Sequence, residues 1–344
     1  MAQALISRKG GGGGGYATIT FDNVSLLTPS TPTELSVERD LLAATTVGEY
    51  ALFGGGGVIG DRVSTVDAYN TSLTRSTPTA LITAREELAA TTVGNYALFG
   101  GGYSSSGRVS RVDAYSTSLT RSTPTALSTE RNNLAATTVG NYALFGGGYG
   151  GSSSYQSTVD AYNTSLTRST TTSLSTAREE LAATTVWNYA LFGGGYSGSG
   201  AVSTVDAYNT SLTRSTPTAL STVRSNLAAT TVGDYALFGG GSDSSTVDAY
   251  NTSLMHSTPT ELSVARKRLA ATTVGDYALF GGGYTSIILP TVDAYFLIKK
   301  IQLYPDAKYK FNDMADEVTS QTFQEIEVDH PITGYIKIKD ATIN

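Results

Sequence analysis

The sequence contains no cysteine, only two histidines and no run of 18 consecutive apolar residues. Without cysteine the chain forms no disulfide framework, no thiolate metal site and no cysteine nucleophile. His256 and His330 lie far apart in sequence, so they indicate neither a metal cluster nor a Ser-His-Asp triad. The sequence also has fewer basic than acidic residues, 23 Lys and Arg against 29 Asp and Glu. The composition therefore predicts no metal, no cofactor and no nucleic-acid partner.

The N-terminal segment lacks the apolar core of a signal peptide, and no segment is apolar for long enough to span a membrane. We therefore expect neither classical secretion nor a membrane span. Six consecutive glycines occupy residues 10–15. Glycine loses more backbone entropy on ordering than any other residue, so this run predicts a flexible linker within an N-terminal arm, residues 1–24.

What the sequence has in abundance is repetition. The phrase Leu-Ala-Ala-Thr-Thr-Val-x-x-Tyr-Ala-Leu-Phe-Gly-Gly-Gly occurs six times, and its phenylalanines are separated by 46, 46, 47, 46 and 42 residues. Periods of this size are typical of stacked supersecondary units. The phenylalanines that mark the register are Phe53, Phe99, Phe145, Phe192, Phe238 and Phe280.

Each repeat is predicted to be a four-stranded antiparallel sheet, because its short Thr-, Val-, Tyr- and Phe-rich segments are separated by Gly, Asn and Ser. In the second repeat we expect strand A at 88–93, strand B at 96–99, strand C at 109–115 and strand D at 120–127. Strand B is apolar on both faces, which indicates a sheet covered on both sides. Such a sheet, repeated radially, is a blade of a β-propeller.

The two ends of the array predict a closed ring. The sixth repeat has strands A, B and C, but after Tyr295 the strand D phrase is replaced by Phe-Leu-Ile-Lys-Lys. Residues 27–35 match that missing phrase and precede the first strand A. We therefore expect an all-β, six-bladed β-propeller over residues 25–296, closed by an N-terminal D strand, since closure removes exposed sheet edges.

The combination of Arg-x-x-Leu, a Gly-Gly doublet after strand B and Asp-x-Tyr in strand C resembles the kelch repeat. In the second repeat these features are Gly100-Gly101, Asp113 and Tyr115, and the resemblance covers about residues 25–296. The chain departs from the family because it lacks the Trp expected after strand C; its one tryptophan, Trp187, follows strand A. The resemblance implies kelch-like, four-stranded blades.

Two charged series recur once per repeat. A structural ion pair or hydrogen-bond bracket explains them better than an axial anion or metal site. The arginines are Arg39, Arg85, Arg131, Arg178, Arg224 and Arg266, and the aspartates are Asp67, Asp113, Asp160, Asp206, Asp248 and Asp293. A further series on strand D, expected at a solvated rim, comprises Arg75, Arg121, Arg168, Arg214 and His256.

Differences between repeats are concentrated in the B-C loops and the D-A turns, whereas the A-B and C-D turns barely change. Alternate turns of an antiparallel sheet lie on one side, so the variation is predicted to fall on a single face. Its Tyr, Ser and Gly content is typical of recognition loops, although neutral drift of unconstrained loops is the alternative. The predicted ligand-binding residues are Tyr103, Arg108, Tyr149, Tyr155, Tyr196, Asp243 and Tyr284.

The last 48 residues, 297–344, abandon the repeat. Segments 325–329 and 335–339 alternate apolar and charged residues, which predicts a β-hairpin that packs on the repeats or on another chain. Both ends of the repeat region are expected to leave from the face opposite the variable loops. The C-terminal region would then serve attachment or oligomerisation.

These features predict a non-enzymatic binding protein that presents variable loops to a cell-surface glycan or protein. The short leader, the glycine run and the near-identical repeats are similar to a bacteriophage or prophage tail-associated, receptor-binding protein. That likeness implies tail or baseplate partners at the termini, a possible homo-oligomer and a place on a virion or extracellular particle. The alternatives are a cytoplasmic kelch-type scaffold for protein-protein interaction and a propeller enzyme of glycan metabolism.

Overall fold

The computed structural model describes residues 32–151 and 154–296, and in the terminal regions the strands at 4–6, 17–21, 301–303, 308–311, 318–319, 324–328 and 336–338. The chain divides into two compact units, Thr31–Tyr295 and the combination of Met1–Ser30 with Phe296–Asn344. The described residues are all-β and contain no α-helix, and among them no helix is long and apolar enough to cross a membrane.

Strands are numbered along the chain. The terminal unit begins with β1 (Ala4–Ile6) and β2 (Ala17–Phe21). Repeat 1 holds β3 (Ala43–Val47), β4 (Tyr50–Gly54), β5 (Gly57–Val58), β6 (Asp61–Arg62), β7 (Val66–Tyr69) and β8 (Arg75–Ser76). Repeat 2 holds β9 (Ala89–Val93), β10 (Tyr96–Gly100), β11 (Tyr103–Ser104), β12 (Gly107–Arg108), β13 (Val112–Ser116) and β14 (Arg121–Ser122). Repeat 3 holds β15 (Arg131–Asn132), β16 (Ala135–Val139), β17 (Tyr142–Gly146), β18 (Tyr149–Gly150), β19 (Ser154–Tyr155), β20 (Val159–Asn163) and β21 (Arg168–Thr170).

Repeat 4 holds β22 (Ala182–Val186), β23 (Tyr189–Gly193), β24 (Tyr196–Ser197), β25 (Gly200–Ala201), β26 (Val205–Asn209) and β27 (Arg214–Ser215). Repeat 5 holds β28 (Ala228–Val232), β29 (Tyr235–Gly239), β30 (Val247–Asn251) and β31 (His256–Ser257). Repeat 6 holds β32 (Ala270–Val274), β33 (Tyr277–Gly281) and β34 (Val292–Phe296). The terminal unit ends with β35 (Ile301–Leu303), β36 (Lys308–Phe311), β37 (Val318–Thr319), β38 (Gln324–Val328) and β39 (Ile336–Ile338).

Repeats 1 to 5 each form a four-stranded antiparallel sheet in the order A, B, C, D, which confirms the predicted repeat unit. The arrangement is consistent with a propeller-like repeat fold. Among the described strands, repeat 6 forms a three-stranded sheet, β32-β33-β34, and none of the sheets closes on itself. Of the segment predicted to supply the closing strand, residues 27–31 lie outside the described residues and residues 32–35 contain no strand.

Strand D of repeat 2 is much shorter than the predicted 120–127: β14 spans only Arg121–Ser122. Pro124 stands two residues later and has no backbone N–H to continue the ladder. In repeat 3 the proline is replaced by Thr171, which has a backbone N–H. This N–H donates to the Val159 carbonyl at 3.1 Å and extends the pairing of strand D with strand C. Strand β21 is accordingly one residue longer, Arg168–Thr170.

The core lies between successive sheets rather than inside one. One face of repeat 1, including Val47 and Leu52, packs against Ala97, Phe99 and Tyr115 of repeat 2. The same cluster recurs at the other four junctions. In repeats 1 to 5 the ring of the strand B phenylalanine meets the ring of the strand C tyrosine edge to face, with centroids 5.8–6.0 Å apart.

The innermost strands are joined from repeat to repeat through threonine. The hydroxyl groups of Thr45 and Thr92 lie 2.9 Å apart, and Thr92 also donates to the carbonyl oxygen of Thr46. Equivalent pairs join every later neighbour up to Thr230 and Thr273. Small hydroxyl residues therefore allow the sheets to approach closely at this edge.

The first and last sheets each leave one face uncovered within the repeat unit. Val274 is 43% exposed and Val292 is 60% exposed, whereas their repeat-1 equivalents Val47 and Val66 are 1% exposed. The threonine bridges and the core clusters described above join five successive junctions, from repeats 1 and 2 to repeats 5 and 6. The array as described is thus open between these two sheets.

The terminal unit combines strands from both ends of the chain. β1, β2, β36 and β37 form one sheet, in which β2 and β36 are parallel. A second sheet has the order β35-β38-β39, and β38 pairs with β39 antiparallel, with Glu327 opposite Lys337. The predicted C-terminal hairpin corresponds to this last pair of strands.

Candidate binding face

The B-C loops and the D-A turns meet by backbone pairing at one end of each sheet. Glu86 and Tyr103 exchange two backbone hydrogen bonds, of 3.1 and 2.8 Å. Matching bridges join Asp40 to Gly57, Glu179 to Tyr196 and Lys267 to Tyr284, and in repeat 3 strand β15 pairs with β18. We call these loops and turns together the loop face.

Guanidinium groups and tyrosine rings form a continuous line across repeats 1 to 4 of the loop face. Arg62 lies 4.9 Å from the ring centroid of Tyr103, and Arg108 lies 5.8 Å from the same ring. Arg108 also covers the ring of Tyr149 at 4.5 Å. The line continues through Tyr155, whose centroid is 5.2 Å from that of Tyr149 and 6.0 Å from that of Tyr196. We call these six residues the Arg-Tyr stripe.

The structure therefore brings five of the seven predicted binding residues into one stripe. Asp243 and Tyr284 lie apart from it, in repeats 5 and 6. Asp243 forms an ion pair with Lys267 at 3.0 Å, and Tyr284 is 41% exposed. Sequence reasoning missed Arg62, although it follows Gly-Asp at the end of its loop much as Arg108 follows Ser-Gly.

A cavity of about 250 Å³ opens where the D-A turns of all six repeats converge. Each turn contributes a residue with positive φ, between 50° and 56°, and in repeats 2 to 6 the N–H of this residue donates to the carbonyl of its counterpart one repeat earlier at 2.9–3.1 Å. We call these the axial residues. They are Leu41, Glu87, Asn133, Glu180, Asn226 and Arg268.

Side chains of the D-A turns bind across the junctions between repeats. Arg62 pairs with Glu86 at 2.8 Å, and Asn132 donates to Glu87 at 2.6 Å. Asn133 donates to Glu179 at 3.0 Å. The same kind of bond joins Asn226 to Glu180, and the Asp243 pair with Lys267 crosses the next junction. The residues that vary between the D-A turns therefore form matched pairs across the junctions between repeats. This pairing gives their variation a structural explanation, besides the recognition and the neutral drift considered from the sequence.

The electrostatics of this face are shaped by half-buried carboxylates. Burial raises the pKa of Glu179, and the nearby carboxylates of Glu180 and Glu87 raise it further, although the hydrogen bond from Asn133 acts in the opposite direction. In the described ranges 32–151 and 154–296, no group of three or more His, Cys, Asp or Glu residues is placed to hold a metal.

The once-per-repeat arginines and aspartates lie inside the fold, away from the loop face surface. Arg131 Nη2 is 2.7 Å from Asp160 Oδ2 and also donates to the Phe145 carbonyl at 3.1 Å. Both side chains are fully buried. The other five pairs repeat this geometry and join Arg39–Asp67, Arg85–Asp113, Arg178–Asp206, Arg224–Asp248 and Arg266–Asp293.

The strand D series does not form a solvated rim, so that prediction is wrong. Arg168 Nη1 and Arg214 Nη1 each lie 2.8 Å from the second oxygen of the buried aspartate of their own sheet. His256 takes the same place, with Nε2 2.6 Å from Asp248 Oδ1. These side chains are only 17–25% exposed, because a carboxylate buried beside one arginine leaves its other oxygen in need of a donor.

Comparison with models of protein families and with curated proteins gives no match to this chain.

Proposed function

We propose that the six sheets are the blades of a six-bladed, kelch-like β-propeller whose ring closes between repeats 6 and 1. In this proposal the N-terminal segment near residues 27–35 supplies the fourth strand of the sixth sheet. Within the part of the chain that the structure describes, that sheet has three strands where the other five sheets have four, which supports the assignment.

The uncovered faces of the end sheets are complementary. At an internal junction Phe99 fills the space over Gly54, with Cε1 only 2.8 Å from the position of a β-carbon on that glycine. Gly281 offers the same space in repeat 6, but its nearest such neighbour is Val292 at 3.6 Å. Phe53, the counterpart of Phe99 in repeat 1, is only partly buried. The last junction thus has both the ring and the space to receive it.

Two observations favour closure within one chain over packing against a second copy. Leu41 of repeat 1 and Arg268 of repeat 6 line the same axial cavity, as closure within one chain would require. The D-A turns also carry opposite charges at the open junction, with Asp40 in repeat 1 and Arg268 in repeat 6.

Alanine substitution at the two glycines tests closure. In a closed ring Gly281→Ala collides with Phe53, so it should lower the free energy of unfolding by about 1–3 kcal/mol, like Gly54→Ala. Unfolding in denaturant and sedimentation of both variants provide the comparison. A Gly281→Ala protein as stable as wild type would overturn closure. Loss of a concentration-dependent oligomer in that variant would instead indicate contact between copies.

We infer that the protein is a non-enzymatic binding module that presents the loop face to a cell-surface glycan or protein, as part of a phage or phage-like tail. The observation that carries this proposal is the Arg-Tyr stripe. Tyrosine and arginine are enriched among residues that dominate binding energy, and the contacts within the stripe hold them in fixed positions.

Replacing stripe tyrosines tests the binding role. Tyr155→Ser and Tyr196→Ser should each weaken binding to host cells or purified surface glycans at least tenfold, with little change in melting temperature. Asn95→Ser is the matched control, since Asn95 is exposed in an A-B turn and outside the loop face. Normal binding by both tyrosine variants would contradict the proposal, whereas capture of cytoplasmic proteins alone would favour the scaffold alternative.

One observation keeps the enzyme alternative as a second candidate. Glu87 and Glu180 both line the axial cavity, and glycoside hydrolysis requires a pair of carboxyl groups. Each already accepts a hydrogen bond from an asparagine, Asn132 and Asn226 respectively. Release of reducing sugar that disappears in Glu87→Gln and Glu180→Gln would favour this candidate over simple binding.

A further inference from the structure

A second cavity, of about 430 Å³, lies beside repeat 2 and is lined by two arginines. Arg108, Ser110 and Arg111 line it where the B-C loop enters strand β13. Thr123 and Glu130 line it from the segment that leads into repeat 3. The two sides are joined by a 2.7 Å hydrogen bond from the Leu127 N–H to the Ser110 carbonyl, so the cavity has a fixed wall.

Arg108 lines this cavity, and contacts with repeat 3 hold its guanidinium group in place. Its Nε donates to Asn132 Oδ1 at 3.0 Å, and its Cζ lies 4.5 Å from the Tyr149 ring centroid. Within the described part of the chain, no hydrogen bond or ion pair occupies its two Nη groups. Stacking and one hydrogen bond thus fix the side chain and leave its outer donors unused.

Arg111 is peculiar to repeat 2. The equivalent residues of the other five repeats are all threonine, namely Thr65, Thr158, Thr204, Thr246 and Thr291. The Arg111 side chain is exposed and, in residues 32–151 and 154–296, it makes no ion pair or side-chain hydrogen bond. The repeat fold therefore does not require an arginine here, since five sheets form with threonine.

We propose that this cavity binds the anionic group of an acidic glycan, a carboxylate or a sulfate, between Arg108 and Arg111. Guanidinium groups match the paired oxygens of such anions, and the Ser110 and Thr123 hydroxyls are further donors. The lining holds two arginines and one carboxylate, Glu130, and Glu179 outside the lining also interacts electrostatically with Arg108. The positive charge available to an anion is therefore centred on Arg111. The proposal rests on glycan recognition by the loop face, and gives that recognition its preference for acidic sugars.

The decisive variant is Arg111→Thr, which restores the residue found in the other repeats and so leaves the fold intact. Calorimetric titration would use a carboxylated, a sulfated and a neutral oligosaccharide built on one backbone. Wild type should bind at least one acidic form tenfold or more tightly than the neutral form, and Arg111→Thr should abolish that difference. The acidic form that it prefers identifies the anion.

Arg75→Ala is the charge-matched control, because Arg75 lies on strand β8, outside both the stripe and this cavity. It should keep the acidic preference. Equal binding of all three sugars by wild type, or an unchanged preference in Arg111→Thr, would overturn the proposal while leaving glycan binding in place. If no sugar binds, the melting temperatures of wild type and Arg111→Thr are measured with acetate alone and with sulfate alone. Stabilisation of wild type but not Arg111→Thr would keep the anion site and refute glycan recognition, and no stabilisation would refute both.

Discussion

The ring of Phe145 packs directly over Gly100 of the preceding repeat, with Cε1 2.7 Å from the position that a β-carbon on Gly100 would occupy. The backbone approach between successive sheets therefore depends on a residue without a side chain. The same relationship joins Gly146 to Phe192 and Gly193 to Phe238.

Gly100→Ala should therefore destabilise the repeat unit. The backbone at this glycine does not have a positive φ, so the cost arises from overpacking, about 1–3 kcal/mol in the free energy of unfolding. Denaturant unfolding measures it. The double variant Gly100→Ala with Phe145→Leu should recover part of the loss, and failure to recover any would show that the ring is not the cause.

The buried ion pair between Arg131 and Asp160 should contribute strongly to stability while having no part in binding. Asp160→Leu leaves the Arg131 charge buried and unpaired, which costs about 3–5 kcal/mol. Adding Arg131→Met removes that charge and should restore much of the loss. Thermal unfolding of both proteins tests this, and a double variant less stable than Asp160→Leu would contradict it. Loss of glycan binding without loss of stability would move the pair to the binding site.

The repeat unit was predictable because its strands and turns are determined by residues close together in sequence, and because the same pattern occurs six times. Alternation in Tyr96-Ala-Leu-Phe99 identified strand B and its two covered faces, and the antiparallel order placed B-C loops beside D-A turns. The pairing of Arg62 with Tyr103 was not predictable, because it joins side chains of different repeats. The role of Arg168 was not predictable either. Only the packed sheet shows that Asp160 is buried and that its second carboxylate oxygen needs a hydrogen-bond donor besides Arg131.

Alkaline conditions should destabilise the fold through its buried tyrosines. Tyr162 donates to the Thr125 carbonyl at 2.7 Å, and burial, aided by the Asp160 charge, raises its pKa well above the ordinary value. An unfolded tyrosine loses its proton near pH 10. Above about that pH the unfolded chain releases protons that the folded chain retains, so stability falls as pH rises. It is unaffected by this group at lower pH.

Tyr162→Phe separates the two effects of this hydroxyl. At neutral pH the variant should lose about 0.5–1.5 kcal/mol because the hydrogen bond to Thr125 is gone. Between about pH 9 and pH 11 it should lose less stability than wild type, since one titrating group has been removed. A pH series of denaturant unfolding gives both quantities, and identical slopes for the two proteins would contradict the prediction.

Trp187 occupies a position where the other repeats carry glycine, and it should cost stability. Its φ is +47° and its side chain is 73% exposed, so the residue gains little from packing. A left-handed backbone costs a residue with a side chain about 1–2 kcal/mol, partly offset by the larger entropy loss of glycine. Trp187→Gly should raise the melting temperature by a few degrees. Gly140→Ala, at φ +53°, is the reciprocal control and should lower it.

His256 replaces the strand D arginine of repeats 1 to 4, and the structure predicts that arginine is interchangeable with it. Asp248 Oδ1 accepts from His256 Nε2 and from the Ser221 N–H, at 2.6 and 2.9 Å. His256→Ala removes the first of these donors beside a buried carboxylate, at a cost of about 1–3 kcal/mol. His256→Arg should retain wild-type stability, because Arg214 already reaches the equivalent oxygen of Asp206 at 2.8 Å. Thermal unfolding of the two variants at neutral pH distinguishes them, and an arginine variant as unstable as the alanine variant would show that repeat 5 requires the imidazole itself.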